Sequence, residues 1–455
     1  MSISEIKNTD LLRSFNEEGH YYTSYPSLNH WTEDFGPEQY KFALSNLGMT
    51  PVHLYVHIPF CAKLCWYCIC NIVVTNNREK IETFLQHLLK EADILQRYHP
   101  NIREIQLGGG TPSHFDRDQF SRLCDKLNVL VDLKTLDEFA MEIDPRTVNI
   151  EDLKHYHSRG VNRISFGVQD FNPAVQKAIN REQPYEMVKA LLSPEIRSLF
   201  SVNFDLLYGL PKQTHETIKD TLEKVKELSP DRITLLKYCH VPDLRKHMKL
   251  IKDEQLPPKE DLPVMFVNII ESLLDAGYEW VGLDHFAKKS DSLGRASIEK
   301  RVGRTFNGFT PGRVKDMVGL GPTTTQAFGK TYAQSTYDLN EYYNFVNRGE
   351  FPIMRGYTLS KDDSIRREVI FSLMCNQRVD FKDICRKYDI SISYFDTELK
   401  LLGGDLCSLE DGVLQTTAYG RVLLRNLCKL FDRKDVEPKH HKIAQKTITK
   451  KVALA

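Results

Sequence analysis

The chain has 455 residues, 41% of them hydrophobic and 27% charged, and its Lys+Arg and Asp+Glu totals are both 61. That length exceeds one ordinary domain and suits a barrel with a smaller unit attached, while the composition excludes general disorder. A formal charge of zero lacks the basic excess expected of a duplex-binding protein, no run approaches the roughly 18–20 apolar residues of a membrane span, and residues 1–10 lack the basic start and apolar stretch of a secretory signal. A cytoplasmic protein with no nucleic-acid partner and no membrane span is expected.

In chain order, residues 1–50 read as a polar lead-in that contains Tyr21-Tyr22-Thr23-Ser24-Tyr25-Pro26. From 51 to 240, short apolar segments alternate with longer ones of helical period. Strands are predicted at 54–58, 104–107, 139–143, 163–166, 202–207 and 232–236, each rich in Ile, Leu, Val or aromatics as buried parallel strands are. Ile81, Leu85, Leu88, Ala92 and Leu95 mark one helix face, and Ile218, Leu222 and Val225 another, which Ser229-Pro230 should end. Six strand–helix units imply an α/β fold with a parallel sheet and right-handed crossovers, and periodicity is satisfied equally by a partial barrel or an open doubly wound sheet. Beyond 240 the alternation fades. The barrel with its extension is assigned to 51–350, a mostly helical C-terminal domain to 360–435 with Ile365, Val369, Ile370 and Leu373 on one face, and a basic, solvated tail to 436–455.

Four of the ten cysteines fall between Cys61 and Cys70, and the other six are scattered, as small buried hydrophobes in a reducing compartment would be. Cys61, Cys65 and Cys68 follow the first strand with C-x3-C-x2-C spacing. Three thiolates on one loop can each take one iron of a [4Fe-4S] cubane and leave the fourth iron open to a small molecule. The competing expectation is a closed zinc site, which wants four tetrahedral ligands; no second ligand pair at matching spacing follows, and Cys70 sits cramped against Cys68.

The second strand ends in Gly108-Gly109-Gly110-Thr111-Pro112, a tract that lets backbone approach a ligand and offers it N–H groups, although such turns are common. Glu142, Gln169, Asp170 and Asp205 fall at the ends of successive strands, where ligands of parallel sheets bind, though each could be an ordinary cap or turn residue. Arg181 is a candidate bidentate partner for a carboxylate, or else half of a surface ion pair.

The cysteine spacing resembles that of the radical S-adenosylmethionine (SAM) superfamily. Longer strings are similar to the oxygen-independent coproporphyrinogen III oxidase (coproporphyrinogen dehydrogenase) family: Tyr22-Thr23-Ser24-Tyr25-Pro26, residues 54–70, Gly108 to Pro112, Gly167-Val168-Gln169-Asp170-Phe171-Asn172, residues 205–214 with Tyr208-Gly209-Leu210-Pro211, Asp284-His285-Phe286-Ala287, and Gly420-Arg421 with Arg425-Asn426. The resemblance implies a partial (β/α)6 barrel with a [4Fe-4S] cluster on Cys61, Cys65 and Cys68, and two molecules of SAM. Tyr55, Tyr67, Gly109, Gly110, Thr111, Glu142, Gln169, Arg181, Asp205, Cys239 and Thr325 would contact them, and Cys70 would be a fourth cysteine outside the cluster.

The implied reaction takes a β-hydrogen from a propionate through a 5′-deoxyadenosyl radical, then releases carbon dioxide and one electron to leave a vinyl group. Done twice, it converts coproporphyrinogen III to protoporphyrinogen IX in haem biosynthesis. The implied partners are the tetrapyrrole, an electron donor and an electron acceptor, and a monomer is expected. Tyr21, Ile69, Asn307 and Pro311 depart from the family pattern, which keeps two alternatives: a radical-SAM paralogue that performs methyl transfer or ring opening on another tetrapyrrole, and a haem-delivery protein without catalysis.

Overall fold

The computed structural model describes residues 24–312, 314–402 and 404–433. Tyr21 and the 436–455 tail therefore lie outside the described residues. All six predicted strands form: β1 (Pro51–Ile58), β2 (Asn101–Gly109), β3 (Glu138–Ile143), β4 (Arg163–Gln169), β5 (Ser201–Tyr208) and β6 (Arg232–Lys237). Each pairs in parallel with the next. Their apolar side chains face the surrounding helices. Helix α1 (Arg78–Gln96) buries Ile81, Leu85, Leu88, Ala92 and Leu95, the face its period predicts, and Asn77 caps it by accepting from the N–H groups of Glu79 and Lys80. Helix α2 (His215–Leu228) ends where Ser229 turns left-handed (φ 48°) ahead of Pro230.

The inward face of the six strands is polar, and this decides between the two sheet architectures. His53 of β1 and Arg232 and Thr234 of β6 line one cavity, so the sheet curls around a lumen. The two strands do not pair with each other; β1 pairs with β9 (Asp316–Leu320), and β6 with β8 (His285–Lys288). The result is an open partial barrel.

The segment beyond 240, where no alternation was read, extends the sheet at both edges. Strand β7 (Tyr278–Gly282) pairs with β8 on one side, and β10 (Thr325–Phe328), β11 (Thr331–Ser335) and β12 (Ile353–Thr358) follow β9 on the other, giving twelve strands in the order β12-β11-β10-β9-β1-β2-β3-β4-β5-β6-β8-β7. These added strands are four to six residues long, too short for a clear period of two.

Helix α3 (Lys361–Asn376) buries Ile365, Val369, Ile370 and Leu373, and Val413–Thr416 forms a short strand. This C-terminal region shares a core with Tyr25, Val281 and Leu283 rather than standing apart. Two arginines brace it: Arg421 donates to the Trp280 carbonyl at 2.6 Å with its guanidinium 4.4 Å over the indole, and Arg425 donates to Asp284 Oδ2 at 2.6 Å. Among the described residues no helix is long and apolar enough to cross a membrane.

One buried acid ties α1 to the end of β1. Glu91 is 1% exposed, and its Oε2 accepts from Gly321 N at 2.7 Å and from the Tyr342 hydroxyl at 2.8 Å. Gly321 (φ 94°) lies so close behind β1 that a Cβ there would sit 2.5 Å from the His57 carbonyl oxygen. Burial pushes the Glu91 carboxyl from 4.5 up to about 7. The folded chain therefore keeps a proton that the unfolded chain releases, so this contribution to stability is full below pH 4.5 and is lost as pH rises through about 7. Urea unfolding at pH 5 to 8 should show that loss, on the order of 3 kcal/mol, and Glu91→Gln should flatten it. An unchanged pH slope in the variant would remove Glu91 as its source.

Candidate active site

The cysteine loop leaves the carboxyl end of β1 and is held by backbone before any cofactor is considered. Phe60–Cys61 pairs with Val73–Val74. Gly110 N donates to Ile58 O and Thr111 N to Phe60 O, both at 2.8 Å, so the end of β2 is stitched to the loop. Further on, Asn180 Nδ2 donates to Leu64 O at 2.8 Å, Trp66 N donates to Ile179 O at 3.0 Å, and a His247 ring nitrogen lies 2.8 Å from Cys68 O.

The sulfur atoms meet donors. Thr111 Oγ1 lies 3.3 Å from Cys61 Sγ, and Cys65 Sγ has Arg181 Nη1 at 3.4 Å and Arg146 Nη2 at 3.6 Å. Burial pushes the Cys61 thiol up to about 11, so the free thiol keeps its proton until a metal displaces it. The Cys68 thiol is hydrogen-bonded to Cys70, both being free cysteines, which raises Cys68 and lowers Cys70. Among the described residues no three thiol, imidazole or carboxylate groups converge as one tetrahedral ion requires. Three separate sulfurs, with two guanidiniums beside that of Cys65, fit an anionic cluster in which each sulfur would take its own iron.

The glycine tract serves shape more than donation. A Cβ on Gly110 would lie 2.7 Å from Phe60 O, and Gly109 (φ 113°) would press one to within 2.6 Å of the His57 ring. The expectation that its N–H groups point to a ligand is corrected: Gly109 N donates to Glu142 Oε2 at 3.2 Å, and those of Gly110 and Thr111 are already bonded to the loop.

Above the loop opens a cavity of about 570 Å3, within the usual size of cofactor and substrate sites. It is lined by Cys61, Cys65 and Cys68 and by nine of the other expected contacts: Tyr67, Gly109, Gly110, Thr111, Glu142, Gln169, Arg181, Asp205 and Cys239. Tyr55 and Thr325 are not among its lining residues. The Tyr55 hydroxyl lies 3.3 Å from His57 Nδ1, and Thr325 pairs with Gln334 in the added strands. Asp170 is also turned away, accepting from Gln213 Nε2 at 2.6 Å and the Thr221 hydroxyl at 2.8 Å; the backbone at Gln169 (φ 64°) separates the two neighbours. Arg181 is 7% exposed, so it is no surface ion pair, and most of its fork is engaged by Gly167 O, Gln183, Cys65 and Asp144, the last at 3.2 Å.

Glu142 accepts from Gln106 Nε2 at 2.8 Å, and burial together with the charge of Asp205 pushes its carboxyl up to about 7. Asp205 is itself raised by burial. A cationic ligand beside this pair would restore ordinary ionisation. Of the departures from the family pattern, Ile69, Asn307 and Pro311 all line the cavity, and Asn307 Nδ2 is buried there without a hydrogen-bond partner. Residue patterns missed Arg146, Lys237 and Arg304. For Arg146 a signal existed, an arginine two residues past the acidic end of β3, and for Lys237 another, its place one residue past a predicted strand; Arg304 lies in a segment whose return to the lumen is not local.

A model of the radical SAM superfamily matches residues 55–225. The chain is 38% identical over 444 residues to the oxygen-independent coproporphyrinogen III oxidase of Escherichia coli, covering 95% of this chain and 96% of that protein. It is 36% identical to the protein of that name from Synechocystis, covering 93% and 94%. The solved structure of the Escherichia coli coproporphyrinogen III oxidase, described as a radical SAM enzyme, superposes with a TM-score of 0.86 over 91% of this chain and 97% of that one, at 38% identity.

The loop geometry yields a separable expectation for its cysteines. After anaerobic reconstitution, Cys61→Ala, Cys65→Ala and Cys68→Ala should each lose most of the bound iron and the visible absorbance of the cluster, whereas Cys70→Ala should keep both. Gly110→Ala, which drives a methyl into the loop backbone, should lower iron content with all cysteines present. Full iron in any of the first three variants would reassign the ligand set.

Proposed function

The chain belongs to the oxygen-independent coproporphyrinogen III oxidase family of radical SAM enzymes, and on that basis we propose that it converts coproporphyrinogen III to protoporphyrinogen IX by oxidative decarboxylation of two propionates. Each turn removes one hydrogen atom, carbon dioxide and one electron, and leaves a vinyl group. The observation that carries the reading is a stitched three-cysteine loop at the mouth of a polar-lined cavity, in a chain 38% identical over 95% of its length to such an oxidase.

In this reading Cys61, Cys65 and Cys68 hold a [4Fe-4S] cluster and leave one iron for SAM. When bound, cluster and SAM together supply a one-electron, hydrogen-abstracting reagent. The chain's own residues do the rest. Arg181 and Arg146 set positive charge against Cys65 and offset the negative charge of the cluster. Glu142 and Asp205, two carboxyl groups close enough to interact, form a seat for the cationic end of SAM. The glycine tract brings β2 against the loop, so that SAM and substrate share one enclosed space, and the cavity walls keep water from the reactive centre. Methyl transfer, ring opening and haem delivery are not favoured by relatives that carry the oxidase name. The reading extends to a monomer in the cytoplasm that takes its electron from a separate donor and passes one to an acceptor.

An anaerobic assay of the reconstituted protein with SAM, a reductant, an acceptor source and coproporphyrinogen III tests it. Mass spectrometry should show loss of two carboxyl groups with formation of 5′-deoxyadenosine. Formation of 5′-deoxyadenosine with an unchanged porphyrin mass would retain the superfamily chemistry and discard this substrate.

A further inference from the structure

The end of the cavity formed by β6, β8 and the 304–309 turn is lined by cations that the chemistry above does not use. Lys237, the last residue of β6, lines it half-buried, and its ammonium makes no ion pair or hydrogen bond to any described residue. Burial, with nearby Lys259 and Arg425, pushes its ammonium down to about 8. Arg304 is 7% exposed, with its guanidinium 4.7 Å over the Phe309 ring. His285 packs edge-on against the same ring at 5.0 Å, and its Nδ1 lies 3.0 Å from Asp284 Oδ1, which leaves Nε2 as the free ring nitrogen. Asp284 is in turn gripped by Arg425 at 2.6 Å from the C-terminal region, so the imidazole is fixed through a chain of two contacts.

We propose that Lys237, His285 and Arg304 form a carboxylate-anchoring wall that holds the propionates which the reaction leaves intact, with Asp284 and Arg425 as positioning residues. The assignment rests on the function proposed above. A cation bound to a carboxylate stabilises the anion more than the neutral carbon dioxide it would become, so gripping a reacting propionate raises the barrier to its loss. Cations therefore belong on the retained propionates, with the reacting one turned to the cluster loop. At that end Arg181 and Arg146 are already engaged by Asp144 and Cys65, and among the described residues only the exposed Lys63 adds a further cation to the lining. The wall binds groups common to the substrate, the singly decarboxylated intermediate and the product, so it serves both turnovers.

The test uses cluster-reconstituted holoenzyme with two probes, coproporphyrin III and its tetramethyl ester, followed by fluorescence titration. Lys237→Gln and Arg304→Gln should each weaken the acid by about tenfold and the ester by less than about twofold, with Arg304→Lys recovering most of the loss. In turnover, KM for coproporphyrinogen III should rise several times more than kcat falls, while SAM affinity stays as in the unmodified enzyme. Lys237 is half-exposed, so its variant decides the matter even where Arg304→Gln folds poorly. Acid affinity unchanged in Lys237→Gln, or acid and ester weakened alike, would overturn the wall. An unmodified holoenzyme that fails to decarboxylate coproporphyrinogen III would instead overturn the function, and the acid–ester comparison would still judge the wall separately.

Discussion

Glu138, held by Arg163 at 2.8 Å and Arg232 at 2.9 Å, is the contact on which the lumen depends. Burial opposes its charge, yet the two guanidiniums hold its carboxyl down to about 2. Arg232 also reaches Asp291 at 2.9 Å, so the floor of the half-barrel is a set of ion pairs from β3, β4 and β6, with the His53–Glu104 contact of β1 and β2 at 3.2 Å beside it. Removing one member of such a set strands its partner in a low-dielectric interior, a cost of several kcal/mol. Apolar side chains would satisfy the same strands more simply, but they would fill the lumen. Paired charges keep it open and polar down to its base, and set the spacing of the strand ends above it.

From that floor upward, each layer is positioned by the one beneath. Ser165 and Asn203 orient Asp205, Asp205 raises Glu142, and Glu142 accepts from the backbone of Gly109, whose neighbours Gly110 and Thr111 are bonded to the cysteine loop. The open side, where β1 and β6 fail to meet, is covered from elsewhere. Strand β8 and the 304–309 turn line it, and Arg425 of the C-terminal region braces that wall from behind by holding Asp284 at 2.6 Å.

What was legible in the sequence was local. Six strands and three helix faces are each written within a few residues of themselves, and all formed where expected. The added strands were not read, because strands such as Thr325–Phe328 are too short and too mixed to show a period, and their place in the sheet is set by pairing with β1 and β9. Arg304 carries no local mark of function and becomes a neighbour of Asp284 only after the chain has folded back, whereas Lys237 stands one residue past a strand that was read. The glycine tract was read for the right property, close approach, but its closest neighbour is the protein's own loop. Lining by Glu142, Gln169 and Asp205 follows directly from strand polarity, whereas Asp170, one residue further on, illustrates how a single left-handed residue reverses which way a side chain faces.

The stitching of Gly110 and Thr111 to the backbone of Ile58 and Phe60 bears on how the protein matures. A metal centre that organises its own loop must be delivered during folding, because the unloaded chain has no site to receive it. Here the loop is pinned by hydrogen bonds that use no sulfur, so a finished scaffold can wait for iron and sulfide. Oxidative loss of the centre would then be an injury to the inventory and not to the architecture, repairable in place by the assembly machinery without passing the chain through an unfolded state.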